Sequence, residues 1–180
     1  MKGPERPSAE AVRVLHARHG DRLWRFLARL SGPGCAPEDL MQDVFEVALR
    51  QQHRFGPEGP PVAWLFGVAS KVALASRRRG AMRRFLGLES APEPRSPDVP
   101  DAVFERAEAA ARLYAALDRL SEVQRTVVIL YELESLSGDE IARVLGCPLP
   151  TVWTRLRRGR EALRVELARL DAREKAPVVA

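Results

Sequence analysis

The chain is short of aromatic side chains, cysteines, lysines and long apolar runs. Only 6% of its 180 residues are aromatic against 46% hydrophobic in all, so its cores must be built mainly from aliphatic side chains and alanine. Cys35 and Cys147 are the only cysteines, too few for a disulfide framework in a chain of this size. Apolar runs are short, Val127 to Tyr131 among the longest, and cannot span a bilayer, which takes roughly 20 residues. Met1 to Glu10 is polar and proline-containing, unlike a secretory leader. These absences predict a soluble, cytoplasmic protein with no membrane insertion. Catalytic signatures are missing as well: no nucleophile–base pair, metal cluster or phosphate-binding loop appears. His16 and His19 lie one helical turn apart, but no acid or cysteine nearby completes a metal site. The expectation is a protein that is not an enzyme and needs no metal or cofactor.

What the chain does have is arginine. Lysine occurs only at Lys2, Lys71 and Lys175, so almost all of the 29 basic residues are arginines; against 24 acids they leave a net charge of +5. So modest an excess matters through its placement. Leu136 to Arg164 reads as two helices and a tight turn. Ser137 and Glu140 make a capping box, and Ile141, Val144 and Leu145 share a face. Gly146 falls where a helix ends left-handed, and Pro150 suits the first turn of the next helix. Val152, Leu156 and Leu163 point that helix inward, which gives the spacing of a helix-turn-helix. The second helix carries Arg155, Arg157, Arg158, Arg160 and Arg164 against Glu161 alone. Trp153, Thr154, Arg157 and Arg158 form one stripe opposite the apolar one, suited to a DNA major groove. Arg155 and Arg160 are rotated away, toward phosphates or the domain's own acids.

Upstream, the pattern is helical from about Ala9 to Ser31 and broken at Gly32-Pro33-Gly34. A second helix runs from Pro37 to about Phe55, with Leu40, Val44 and Val47 inward and Asp39, Gln42 and Asp43 forming a polar patch at i, i+3 and i+4. A third begins near Val62, with Trp64, Leu65, Val68, Val72 and Leu74 as apolar body. It ends in Arg77, Arg78, Arg79, Arg83 and Arg84 with no acid among them, more cation than capping requires and suited to a polyanion. Gly87 to Asp101 holds four prolines and about −3 of charge, a semi-extended linker reaching roughly 45 Å if polyproline-like. Beyond it lie an amphipathic helix over 102–120 and another capped by Ser121 and Gln124, with Val123, Val127, Val128 and Leu130 as its apolar body. The fold class is all-α: two small helical domains, 9–86 and 102–175, joined by the proline-rich linker 87–101.

EDLMQDVFEVAL at 38–49 and WLFGVASKVALASRRR at 64–79 resemble region 2 of the sigma-70 family of RNA polymerase initiation factors. ALDRLSEVQRTVVILYELESLSGDEIARVLGCPLPTVWTRLRRGREAL at 116–163 resembles region 4. With no other sigma region and a short linker, the chain is similar to group IV, the extracytoplasmic-function (ECF) sigma factors. The resemblance implies a region 2 helical bundle that docks on the clamp helices of the polymerase largest subunit and melts the −10 element. It implies a region 4 helix-turn-helix that binds the −35 element and the flap of the second-largest subunit. Carried over, Asp39, Gln42 and Asp43 face core polymerase. Lys71, Arg77, Arg78 and Arg79 meet the −10 region, and Trp153, Thr154, Arg157 and Arg158 the −35 element. Lys71 and Ala75 stand where the family usually has asparagine and aspartate, so capture of a flipped −10 base is expected to follow its own rule. Tyr131 and Trp153 stand where members often carry a basic residue. Gly159 replaces a common alanine at a cost of about 1 kcal/mol.

Two other readings are open to the sequence. One is a stand-alone helix-turn-helix regulator, which would have no need of the acidic helix. The other is a sigma-like protein that binds polymerase or an anti-sigma factor without opening promoters.

Overall fold

The computed structural model describes residues 9–31, 35–51, 61–87 and 104–174. The expected linker beyond Gly87, the end of the second expected helix after Gln51 and the C-terminal residues after 174 lie outside them. Within the described residues the chain is helical, with no strand: α1 (Ala9–Ser31), α2 (Pro37–Arg50), α3 (Val62–Phe85), α4 (Phe104–Arg119), α5 (Glu122–Val128), α6 (Gly138–Leu145) and α7 (Leu149–Glu174), with a π-helical turn over Ile129–Leu133. They form two compact units, the first built on α1–α3 and the second on α4–α7 apart from residues 143–146 at the end of α6, which group with the first.

In the first unit, α1 buries Leu23, Phe26, Leu27 and Leu30 against Leu40, Val44, Phe45 and Ala48 of α2 and Leu65, Phe66, Ala69 and Ala73 of α3. Each large aliphatic or aromatic side chain so removed from water contributes about 1.5–3 kcal/mol. Phe26 and Phe66 meet with centroids 4.6 Å apart. The inward face of α3 differs from the expected one. Leu65 is buried, but Trp64, Val68, Val72 and Leu74 are only half-buried, and Phe66, Ala69, Ser70 and Ala73 hold the interior. The reason is that α3 packs on both α1 and α2, so small residues take the closest approaches. Ser70 is tolerated because its hydroxyl donates to the Phe66 carbonyl at 2.7 Å. Val47, expected inward on α2, is likewise half-buried.

In the second unit both capping boxes form. Ser121 Oγ accepts from Gln124 N, and Ser137 Oγ accepts from Glu140 N at 3.3 Å while Glu140 Oε2 accepts from Ser137 N at 2.8 Å. Gly146 ends α6 at φ +60°, as its position suggested. Val127, Val128, Ile129 and Leu130 are fully buried with Ile141, Val152 and Leu156, whereas Val123, expected in the apolar body of α5, is exposed. Val123 lies in the first turn of α5, ahead of the stretch that meets α7. The π turn carries the chain past α5 through the bond from Glu134 N to Ile129 O, 3.0 Å, and Ser135 follows at φ +56°.

Among the described residues Arg125 is the largest fully buried side chain. Its Nε donates to the Leu117 carbonyl at 2.6 Å, and Nη1 lies 2.7 Å from Asp118 Oδ1. Nη1 and Nη2 are buried without a hydrogen-bond partner, so the Asp118 carboxylate compensates the guanidinium through charge.

Candidate nucleic-acid and protein interfaces

Three surfaces carry the polar residues singled out from the sequence. On α2, Pro37 within the first turn and the acids Glu38 and Asp39 suit the positive end of the helix dipole. Asp39, Gln42 and Asp43 are all exposed beside the buried Leu40–Val44 stripe, and they make no hydrogen bond or ion pair among the described residues. Neighbouring acids are committed elsewhere: Glu38 accepts from Trp24 Nε1 at 2.7 Å, and Glu46 pairs with Arg50 at 2.5 Å. The three side chains therefore present a carboxylate–amide–carboxylate stripe with its acceptors unspent.

The basic end of α3 divides in two. Arg77 is half-buried, and its Nη1 points at the last carbonyls of α1, 3.5 Å from Leu30 O and 3.4 Å from Ser31 O. A cation there answers the negative end of the α1 dipole, so Arg77 holds the bundle together. Lys71, Arg78 and Arg79 are exposed, and Lys71 and Arg79 form no pair among the described residues. Ala75, on the same face as Lys71 and Arg78, is exposed too. Past Gly80 every residue to Gly87 is exposed, with Met82, Phe85 and Leu86 among the arginines.

On α7, Val152 and Leu156 are buried while Trp153, Thr154, Arg157 and Arg158 are exposed, so the expected stripe does face outward. Its members differ in freedom. Thr154 Oγ1 donates to the Pro150 carbonyl at 3.0 Å. Arg157 and Arg158 have no polar partner among the described residues, and with Gln124, Glu161 and Val165 they line a shallow groove of about 410 Å³ between α5 and α7. The other arginines are engaged, and of the two expected to turn toward the domain's own acids only Arg160 meets one. Arg155 reaches Cys147 Sγ at 3.5 Å, and Arg160 pairs with Glu132 at 2.5 Å. Arg164 bonds Glu161 at 2.7 Å and holds that carboxyl below the usual carboxylate range, by hydrogen bond first and charge second.

Trp153 sits edge-on to Tyr131, with centroids 5.6 Å apart at 78°. The Arg160 guanidinium also lies over the Tyr131 ring, 5.2 Å from its centroid. Two glycines make this surface possible, and the sequence pattern did not single out the first. A Cβ on Gly138 would lie 2.5 Å from Trp153 Cζ2, and one on Gly159 would lie 2.7 Å from Val128 Cγ2. Gly159 thus lets α7 approach α5 closely. The signal for Gly138 was a poor helix former directly after a well-made cap.

One helical unit with an exposed acidic stripe and a second holding a helix-turn-helix are what the resemblance to the sigma-70 family implies, and the comparisons show that family. Residues 15–83 match the family Sigma-70 region 2, and residues 110–163 match Sigma-70, region 4. Over 161 residues the chain is 36% identical to the ECF RNA polymerase sigma factor SigE of Mycolicibacterium smegmatis, covering 86% of this chain and 61% of that relative's length. It is 31% identical to SigL of Mycobacterium tuberculosis over 174 residues, covering 94% of this chain and 96% of SigL. CarQ of Myxococcus xanthus is 32% identical over 165 residues, 90% of this chain and 92% of CarQ. The chain belongs to the ECF RNA polymerase sigma factors. Two solved structures share its fold. One is the sigma factor RpoE in complex with the anti-sigma factor NepR from Bartonella quintana, with a TM-score of 0.67 and 24% identity, covering 89% of this chain and 98% of that one. The other is CnrH in complex with the cytosolic domain of CnrY, with a TM-score of 0.63 and 26% identity, covering 92% of this chain and 90% of that one.

Proposed function

We propose that the chain binds core RNA polymerase through the α2 stripe Asp39, Gln42 and Asp43 and directs promoter-specific initiation, with no catalytic chemistry of its own. Lys71, Arg78 and Arg79 engage the −10 region chiefly through phosphates, and Arg77 acts by holding the helix that carries them. Trp153, Thr154, Arg157 and Arg158 enter the −35 major groove. The observation that carries this assignment is that Asp39, Gln42 and Asp43 on one side and Lys71, Arg79, Arg157 and Arg158 on the other, exposed and of opposite charge, have no polar partner among the described residues and stand on family-matched surfaces of two separate helical units. Unit boundaries of 9–86 and 102–175, an acidic linker over 87–101 and a cytoplasmic location complete the proposal.

Run-off transcription with purified core polymerase tests it. Addition of the chain should yield transcripts from a subset of promoters only. A chain that binds promoter duplex but leaves core polymerase silent would instead be a stand-alone regulator. One that binds core without producing transcripts would be a sigma-like decoy. The relatives RpoE and CnrH were solved as complexes with NepR and the cytosolic domain of CnrY, and an anti-sigma partner is proposed for this chain by the same likeness.

A further inference from the structure

The side chain of Trp153 is placed by an absence. Gly138 opens α6 directly after the Ser137 cap, and its backbone is not left-handed: among the described glycines only Gly87 and Gly146 have positive φ. Nothing in the backbone therefore calls for glycine. What it supplies is space. A Cβ there would stand 2.5 Å from Trp153 Cζ2, 2.9 Å from Cη2 and 2.8 Å from Leu149 Cδ1. The six-membered ring of the indole thus lies directly over the first turn of α6. Tyr131 meets the indole edge-on, and Arg160, tied to Glu132, lies over the Tyr131 ring. Fixed in this way, Trp153 is still 43% exposed, in the second turn of α7 beside Thr154 and Arg157.

We infer that Gly138 is a specificity-determining positioning residue: it seats the Trp153 indole as a rigid apolar contact for the 5-methyl group of one thymine in the −35 element. This rests on the proposed −35 role of α7. In the major groove thymine alone offers a methyl group, and a flat, preplaced apolar surface recognises it at little entropic cost. An added methyl at position 138 would meet the far ends of two side chains rather than backbone, so the indole swings away and the fold survives. The consequence falls on base preference.

The test uses holoenzyme reconstituted from the full chain and core polymerase, with −35 duplexes in which each thymine in turn is replaced by uracil, which removes only the methyl group. Wild type should lose roughly fourfold in affinity at one thymine, the contribution of one buried methyl group. Trp153→Ala and Gly138→Ala should both become indifferent at that same position, while Gly138→Ala keeps a melting temperature close to wild type. Arg157→Ala should retain the methyl dependence and relax preference at another base pair. The inference is overturned if wild type binds thymine and uracil duplexes alike throughout, a result that needs no variant. It also fails if Gly138→Ala keeps the wild-type dependence, or if it unfolds while the Gly138→Ala/Trp153→Ala double variant, with no ring to displace, unfolds equally. If wild-type holoenzyme does not distinguish a −35 duplex from a scrambled one, the −35 assignment itself falls. Uniform uracil tolerance with intact −35 selectivity removes only the role of Gly138 and Trp153.

Discussion

At the scale of single residues, two features of the second unit run against what each residue type usually does. Alanine at position 159 would gain about 1 kcal/mol of helix propensity. Its Cβ would also press on Val128 Cγ2 at 2.7 Å and on the Gln124 carbonyl oxygen at 3.2 Å. Overpacking typically costs about 1–3 kcal/mol, and a backbone oxygen cannot swing aside, so Gly159→Ala should lower the melting temperature by a few degrees. A raised melting temperature would mean that the α5–α7 contact has slack. Arg125 gives an asymmetric case. Asp118→Ala strands a buried guanidinium and should cost about 3–5 kcal/mol, whereas Arg125→Met removes the buried charge at similar volume and should cost much less. Denaturant unfolding of both variants measures the difference, and a larger loss in Arg125→Met than in Asp118→Ala would show that the Leu117 hydrogen bond, not the ion pair, dominates. Neither feature was legible in the sequence. A lone arginine in an amphipathic helix looks solvated, and a glycine looks like a helix defect until the neighbouring helix is in place.

At the scale of elements, local chemistry was legible and close packing was not. Ser121–Gln124, Ser137–Glu140 and Gly146 announced helix ends because caps depend on residues three or four apart. The inward face of α3 depends on two partner helices far off in the chain, and Phe66, Ala69 and Ala73 displaced the larger residues expected there. The π turn over Ile129–Leu133 had no sequence signature at all. The arginine run of α3 shows the same limit: periodicity located the charges, but only the end of α1 shows why Arg77 differs from Arg79. The two should separate experimentally. Arg77→Ala should destabilise the first unit by removing the cation from the α1 terminus, by about 0.3–1 kcal/mol, to judge by typical helix-dipole interactions. Arg79→Ala should leave the melting temperature alone and reduce the log–log salt slope of promoter binding by nearly one unit, if its phosphate belongs to duplex DNA. An unchanged slope with Arg79→Ala would take it out of the DNA interface.

At the scale of the whole molecule, the two helical units divide the labour, and this division gives the last prediction its form. The α2 stripe and the α7 stripe lie on separate units, each with its own buried core, so damage to one should leave the other's binding surface intact. Asp39, Gln42 and Asp43 are exposed and bear on no core contact, so reversing the two carboxylates changes the sign of that surface without disturbing Leu40 or Val44. In the full chain, Asp39→Arg/Asp43→Arg should abolish co-purification with core polymerase while leaving helical circular dichroism unchanged. Arg157→Ala/Arg158→Ala should do the reverse, co-purifying with core as wild type does but losing selection for the −35 element. A bidentate arginine–guanine contact is worth about 1–3 kcal/mol of discrimination, so that second loss should be about fivefold or more at the affected base pair. The two variants together form the decisive comparison. If the α7 variant lost core capture as completely as the α2 variant, polymerase recognition would not reside in the first unit, and the acidic stripe would be a solvated helix face.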